Sequence, residues 1–293
     1  MKRIVFLIIP LALLLLVAMP IISILVGYTV ECDIRYADGE ECIMDIYTPW
    51  GAENHDSIGC VILIHGGSWS SGDKSDEELR ARLIASRGYM AVTINYTLFT
   101  AEADASFDTD TMLDDIDAAI SKVKSYAKER GITIDKIATS GYSAGAHLAL
   151  LYAYSRSADS PIEIAFTASM AGPTKITPEI WGEDFTVSIG RLLTTEDFDK
   201  DYIYTAHGES ALRDISPTTY ISESSVPTLI LQGAKDSIVP PQNAEALASA
   251  LESARVAHEY IILPNSTHAL SEDIFGFIGY HLTLLEWCND HFS

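Results

Sequence analysis

Cys60-Val61-Ile62-Leu63-Ile64 is an apolar run without polar interruption, and a strand of that kind is stable only if both of its faces are covered. Much of the chain repeats the theme. Residues 89–95, 134–139, 164–169, 228–232 and 258–263 read as strands, and residues 77–86, 111–130, 144–154, 242–253 and 275–291 read as helices set among them. In 111–130, Met112, Ile116, Ile120, Val123 and Ala127 fall on one helical face, acids come early, Lys128 and Arg130 come late, and Gly131 stops the helix. This alternation predicts an α/β fold with a mostly parallel central sheet and helices on both faces. In such sheets ligands gather at the carboxyl ends of the strands. A short antiparallel hairpin precedes it. Residues 30–36 and 42–47 flank Asp38-Gly39, and a two-residue turn there opposes positions whose numbers sum to 77. Cys32 then faces Asp45, so a Cys32–Cys42 bridge is disfavoured.

Two stretches depart from the alternation. Residues 171–226 scatter Trp181, Phe185, Phe198, Tyr202 and Tyr204 among acids, and are too long for an ordinary loop. They read either as a lid or pocket wall, or as helix and loops packed on the sheet edge. At the other extreme, Met1-Lys2-Arg3 precede an uncharged apolar run of 24 residues, 4–27. A bilayer-spanning helix takes roughly 20 residues, against about 7 to 15 for the core of a cleaved signal. Residues 1–28 are therefore expected to be a transmembrane signal-anchor, with secretion after signal cleavage as the alternative. Lys2 and Arg3 hold that terminus in the cytoplasm and place residues 29–293 on the far side of the membrane.

Residues 29–293 carry 17 Lys and Arg against 41 Asp and Glu, a formal charge of −24. A surface that acidic repels phosphate backbones, so nucleic acid is not an expected partner. The four cysteines, Cys32, Cys42, Cys60 and Cys288, are too scattered for a metal site.

The chemistry-bearing residues lie where strands end. Gly141-Tyr142-Ser143-Ala144-Gly145 follows one predicted strand and opens a predicted helix, the context in which GxSxG marks a nucleophilic serine. His65-Gly66-Gly67-Ser68-Trp69 follows the apolar strand 60–64 and resembles the HGGG-type oxyanion loop of esterases and lipases, with Ser68 in the place of the third glycine. Backbone N–H groups of Gly67, Ser68 and Ala144 are the candidate oxyanion donors, and Trp69 and Tyr142 the candidate substrate contacts. A serine hydroxyl needs a base, and the base an orienting carboxylate. Asp236 follows strand 228–232 and His268 follows strand 258–263, giving the chain order Ser143, Asp236, His268. Asp214 is the rival acid, but it lies in the irregular stretch. The other histidines lack the right flanks.

Together these residues resemble the alpha/beta-hydrolase superfamily, and within it the small carboxylesterases that include feruloyl, acetyl-xylan and hormone-sensitive-lipase-like enzymes. The landmarks are Met44-Asp45-Ile46-Tyr47-Thr48-Pro49, the His65 loop with Gly72-Asp73-Lys74, Asn95-Tyr96, the serine turn, and Ser216-Pro217 ahead of residues 227–233. The resemblance implies a serine carboxylesterase domain over 29–293, acting through an acyl-enzyme on Ser143 with His268 as base and Asp236 as acid. It implies a small-molecule or carbohydrate-linked ester as substrate, with no metal or organic cofactor. The alternatives are a peptidase or lipase of the same fold, or a catalytically silent, membrane-anchored binding module.

Overall fold

The computed structural model describes residues 27–100 and 108–293. The expected anchor over 1–28 therefore lies almost wholly outside the described residues. Among the described residues no helix is long and apolar enough to cross a membrane.

An eight-stranded sheet organises the chain in the spatial order β1-β2-β4-β3-β5-β6-β7-β8. The strands are β1 (Tyr28–Arg35), β2 (Ile43–Pro49), β3 (Cys60–Ile64), β4 (Met90–Ile94), β5 (Lys136–Tyr142), β6 (Glu163–Met170), β7 (Thr228–Gly233) and β8 (His258–Leu263). The first two pairings, β1 on β2 and β2 on β4, are antiparallel, and every later one is parallel. The helices are α1 (Glu78–Ala85), α2 (Thr109–Glu129), α3 (Ala144–Ser155), α4 (Pro178–Trp181), α5 (Glu183–Leu193), α6 (Ala206–Asp214), α7 (Gln242–Ser253) and α8 (Ile274–Phe292).

The two-residue period of β3 explains the layering. Val61 and Leu63 point to one face and pack with Ala81 and Ile84 of α1 and with Tyr280, Leu284 and Cys288 of α8. Cys60, Ile62 and Ile64 point to the other and pack with α2, α3 and α7 through Met112, Ile116, Leu148 and Leu247. All five residues of β3 are fully buried, as a strand with no polar face requires. The stripe of α2 is the one the sequence spacing predicts. Its start is capped by the Asp108 side chain accepting from the Thr111 N–H at 3.1 Å.

The hairpin differs in detail. Tyr28 to Glu31 oppose Pro49 to Ile46 in the expected register, but Ile34 pairs Met44 and Arg35 pairs Ile43, one position out. Asp33, with φ +56°, sits in the bulge that makes the shift. The chain turns between Tyr36 and Cys42, whose N–H and C=O close the loop at 3.0 Å, so Asp38-Gly39 is not a two-residue turn. All four cysteines are free thiols.

Residues 171–226 fold as α4, α5 and α6 with intervening turns, against the α2 and α3 side of the sheet. Phe198, Ile203, Leu212 and Ile215 are buried there, and the Thr109 hydroxyl donates to the Leu193 carbonyl at 2.7 Å. Apolar burial of these side chains, invisible in the irregular spacing, packs the stretch onto α2 and α3.

Candidate active site

β5 delivers Ser143 to the carboxyl end of the sheet, where the chain must reverse into α3 within one residue. Ser143 has φ 54° and ψ −120°, a conformation costly for a side-chain-bearing residue and kept only where surroundings over-determine it. Its N–H donates to the Met170 carbonyl of β6 at 2.8 Å. The flanking glycines are steric necessities. A Cβ on Gly145 would lie 2.0 Å from the Ile64 carbonyl oxygen, and one on Gly141 would lie 2.3 Å from the Gly145 carbonyl carbon.

His268, on the loop after β8, presents Nε2 3.0 Å from the Ser143 Oγ. Its Nδ1 lies 2.7 Å from Asp236 Oδ2. Because a carboxylate accepts, Nδ1 carries the proton and Nε2 offers its lone pair to the serine hydroxyl. Asp236 is held in turn by three donors. The backbone N–H groups of Ile238 and Val239 both reach Oδ1 at 2.9 Å, and Gln232 Nε2 reaches Oδ2 at 3.1 Å. Asp214 ends α6 in the insert, its carbonyl accepting from the Tyr220 hydroxyl. The structure thus brings Ser143, His268 and Asp236 into one hydrogen-bonded chain and leaves the rival acid out of it.

Sequence reasoning missed the groups that fix the histidine loop. Asp273 Oδ2 accepts from the Asn265 N–H at 2.7 Å and the Ser266 hydroxyl at 2.9 Å, and Glu272 accepts from the Thr267 hydroxyl at 2.7 Å. Hydrogen bonds from Asn265 draw the Asp273 carboxyl below its usual range, and those from Thr267 do the same for Glu272. Tyr142, a candidate substrate contact, donates its hydroxyl to the His268 carbonyl at 2.8 Å and packs its ring 5.1 Å from the imidazole. Gln232 lies in the landmark stretch 227–233 without a role being read for it, and Asp273 carries no local motif.

The loop from His65 to Trp69 lies beside the nucleophile. A Cβ on Gly66 would sit 3.3 Å from the Ser143 Cβ, and one on Gly67, at φ +118°, would strike the Ser71 carbonyl at 2.0 Å. Ser68, in the place of the third glycine, adopts φ +53° all the same. Among the described residues the N–H groups of Gly67, Ser68 and Ala144 have no acceptor. Gly66, not among the candidate site residues read from the sequence, lies against the serine.

Trp69 departs from the expectation of a substrate-facing ring. It is only 6% exposed, and its Nε1–H donates to His147 Nδ1 at 3.2 Å. The indole turns inward because His147, one turn along α3 from Ser143, offers a buried acceptor. His147 Nε2–H in turn donates to the Ile215 carbonyl of the insert at 2.7 Å. Both bonds need a neutral ring, and burial pushes its pKa down to about 4.

A cavity of about 850 Å³ opens beside the serine, bounded by Gly66, Gly67, Tyr142, Met170 and Ala269 near the reacting atoms and by α1 and α8 beyond. None of its lining residues comes from 172–226. No group of His, Cys, Asp and Glu among the described residues has the arrangement of a metal site.

A mostly parallel sheet with helices on both faces, a strained serine between strand and helix, and a carboxylate and an imidazole on the loops after the last two strands are the arrangement of the alpha/beta-hydrolase class. Residues 44–251 match the BD-FAE family, and the chain belongs to it. That match includes Ser143 and Asp236 and stops short of His268. Among related proteins, the chain is 26% identical to Esterase LipQ of Mycobacterium tuberculosis over 81% of its own length and 56% of the relative's. It is 29% identical to the same organism's Probable carboxylic ester hydrolase LipM over 85% of its length and 58% of that relative's. The chain therefore spans less than two thirds of these relatives. A solved structure described as a truncated carbohydrate esterase from gut microbiota shares the fold with a TM-score of 0.74, at 17% identity, over 90% of this chain and 97% of that one.

Proposed function

We propose that the protein is a serine carboxylic ester hydrolase working through an acyl-enzyme on Ser143. The observation that carries this reading is the continuous chain from Ser143 Oγ through His268 to Asp236, at 3.0 and 2.7 Å. His268 Nε2 takes the hydroxyl proton as Oγ bonds to the ester carbonyl carbon, and the carbonyl electron pair moves onto oxygen. The N–H groups of Gly67, Ser68 and Ala144 receive that oxyanion; each such donor is worth about 10²- to 10³-fold in rate. As the tetrahedral species collapses, the alcohol oxygen takes the proton from His268 and leaves. Water, deprotonated by the same imidazole, then attacks the acyl-enzyme and releases the acid. No step needs a metal or organic cofactor. The esterase names of the mycobacterial relatives and of the gut carbohydrate esterase support a small-molecule or carbohydrate-linked ester as substrate. The apolar run of residues 4–27 supports an extracytoplasmic, membrane-anchored address, which fractionation of cells expressing the full chain would check.

The test is Ser143→Ala. It is expected to abolish both hydrolysis of p-nitrophenyl butyrate and labelling by a fluorophosphonate. Turnover at the wild-type rate in that variant would end the assignment.

A further inference from the structure

The cavity beside Ser143 is far too large for the smallest acyl groups. Its volume of about 850 Å³ lies toward the upper end of small-molecule sites, which run from about 300 to 1,000 Å³. An acetyl group would leave most of it unfilled. The cavity walls beyond the reacting atoms are apolar: Leu79 and Leu83, one turn apart on α1, face Phe277, Ile278 and Leu282 of α8.

Charged groups also line it, but most are already engaged. Glu77 Oε2 accepts from Arg80 at 2.6 Å, the other arm of Arg80 donates to the Ser140 hydroxyl, and Asp76 accepts from the Asp73 N–H at 3.2 Å. Arg80 Nε has no partner among the described residues, but it is closed off from solvent. His281 donates Nδ1–H to the Phe277 carbonyl at 2.8 Å, and Arg87 stands exposed at the edge. The floor thus offers a substrate no buried, unpaired charge.

The rim is a separate observation. Leu79 is 70% exposed, and Ile278 and Leu282, on one face of α8, are about half exposed. Ile274, one turn before Ile278, continues that face, and Phe275 beside it is 88% exposed. Apolar groups left in water around the mouth of an apolar cavity are covered when a chain longer than the cavity leaves through it.

Resting on the esterase reading above, we infer that this cavity selects esters bearing a flexible alkyl chain of about eight carbons or more, held between α1 and α8 and covered at its end by the rim.

The experiment uses the full chain with p-nitrophenyl esters from acetyl to dodecanoyl. A parallel series of alkyl acetates carries the chain on the alcohol instead. In the series whose chain enters the cavity, kcat/KM is expected to rise roughly two- to fourfold for each added methylene. Leu83→Trp, which narrows the cavity, moves the optimum to butanoyl or shorter. Leu282→Glu, at a half-exposed rim position where folding is not at stake, lowers the octanoyl-to-butanoyl ratio at least fivefold. The shortest chain as the best substrate in both series overturns the inference, and so does a long-chain preference that neither variant moves. If the shortest esters are turned over best and a fluorophosphonate labels Ser143, the esterase reading stands while this one falls. Absence of both turnover and labelling removes the two together.

Discussion

His147 makes a prediction whose size follows from its surroundings. The ring accepts from Trp69 Nε1 and donates to the Ile215 carbonyl, so only the neutral imidazole satisfies both partners. Burial lowers its pKa from 6.5 to about 4. Between those values the unfolded chain takes up a proton that the folded protein refuses. Stability from this group is therefore fully present above pH 6.5 and is lost as pH falls toward 4. At 1.36 kcal/mol per unit the whole effect is about 3 kcal/mol, of which about 2.5 kcal/mol is gone by pH 4.5. His147→Gln keeps an acceptor and a donor at the position but cannot titrate. The assay is urea unfolding of both proteins at pH 7.0, 5.5 and 4.5. At pH 7 the variant should be less stable by about 1 kcal/mol, for imperfect hydrogen bonds. At pH 4.5 it should equal or exceed the wild type, because the other titrating groups, His281 among them, cancel in the difference. A gap between the two proteins that stays constant across the three pH values would refute the reasoning.

Three further outcomes are expected. Asp236→Asn leaves the melting temperature within a few degrees but lowers kcat by about 10⁴-fold, because the histidine loses its orienting acceptor, while Asp214→Asn leaves turnover unchanged; p-nitrophenyl butyrate kinetics and a thermal melt on each variant decide this. Ser68→Gly relieves a left-handed residue and should change stability by no more than about 1 kcal/mol, relief in the fold being offset by a freer unfolded chain; a loss well beyond that in urea would mean the serine side chain holds the loop. Glu77→Gln strands the Arg80 guanidinium, which is 8% exposed, and should cost about 3 to 5 kcal/mol. Adding Arg80→Met to that variant should recover much of the loss, again by urea unfolding.

What could be read from the sequence was whatever depends on neighbours along the chain. β3, β8 and α7 occur at the expected residues, because their boundaries are set by runs of apolar residues and by local breakers. The juxtaposition of Ser143, Asp236 and His268 was legible for the same reason, since each follows a strand at one end of the sheet. Long-range partners defeated the reading elsewhere. The strand read over 134–139 begins at Lys136 and does not end at 139. The missing side chain of Gly141 serves a contact with Gly145 across the turn, and the strand runs on to Tyr142. Trp69 looked like a substrate contact because nothing beside it in sequence announces His147, 78 residues away. The insert hid α5 and α6 because its aromatics fall at irregular spacing, with Phe198 fully buried while Phe185 and Tyr204 are exposed.

A deeper reason concerns glycine. A sequence advertises left-handed backbone through glycine, yet several positions that shape the site hold that backbone with a side chain in place: Ser68, Trp69, Ser143 and Leu270 all have φ between +53° and +59°. Such strain survives only where tertiary contacts fix the residue, and here Trp69, Ser143 and Leu270 are each tied. Trp69 is held by His147 through its ring, and its carbonyl accepts from the Phe99 N–H at 2.8 Å; Ser143 is held by Met170, and the Leu270 N–H donates to the Thr267 carbonyl at 3.2 Å. These ties join β6, α3 and the β4–α2 segment to the turns that carry Trp69 and Ser143, and brace the His268 loop from within. The geometry of the reacting atoms is therefore a property of the packed sheet as much as of the motifs, so substitutions at contacts such as His147 should disturb turnover without touching the substrate.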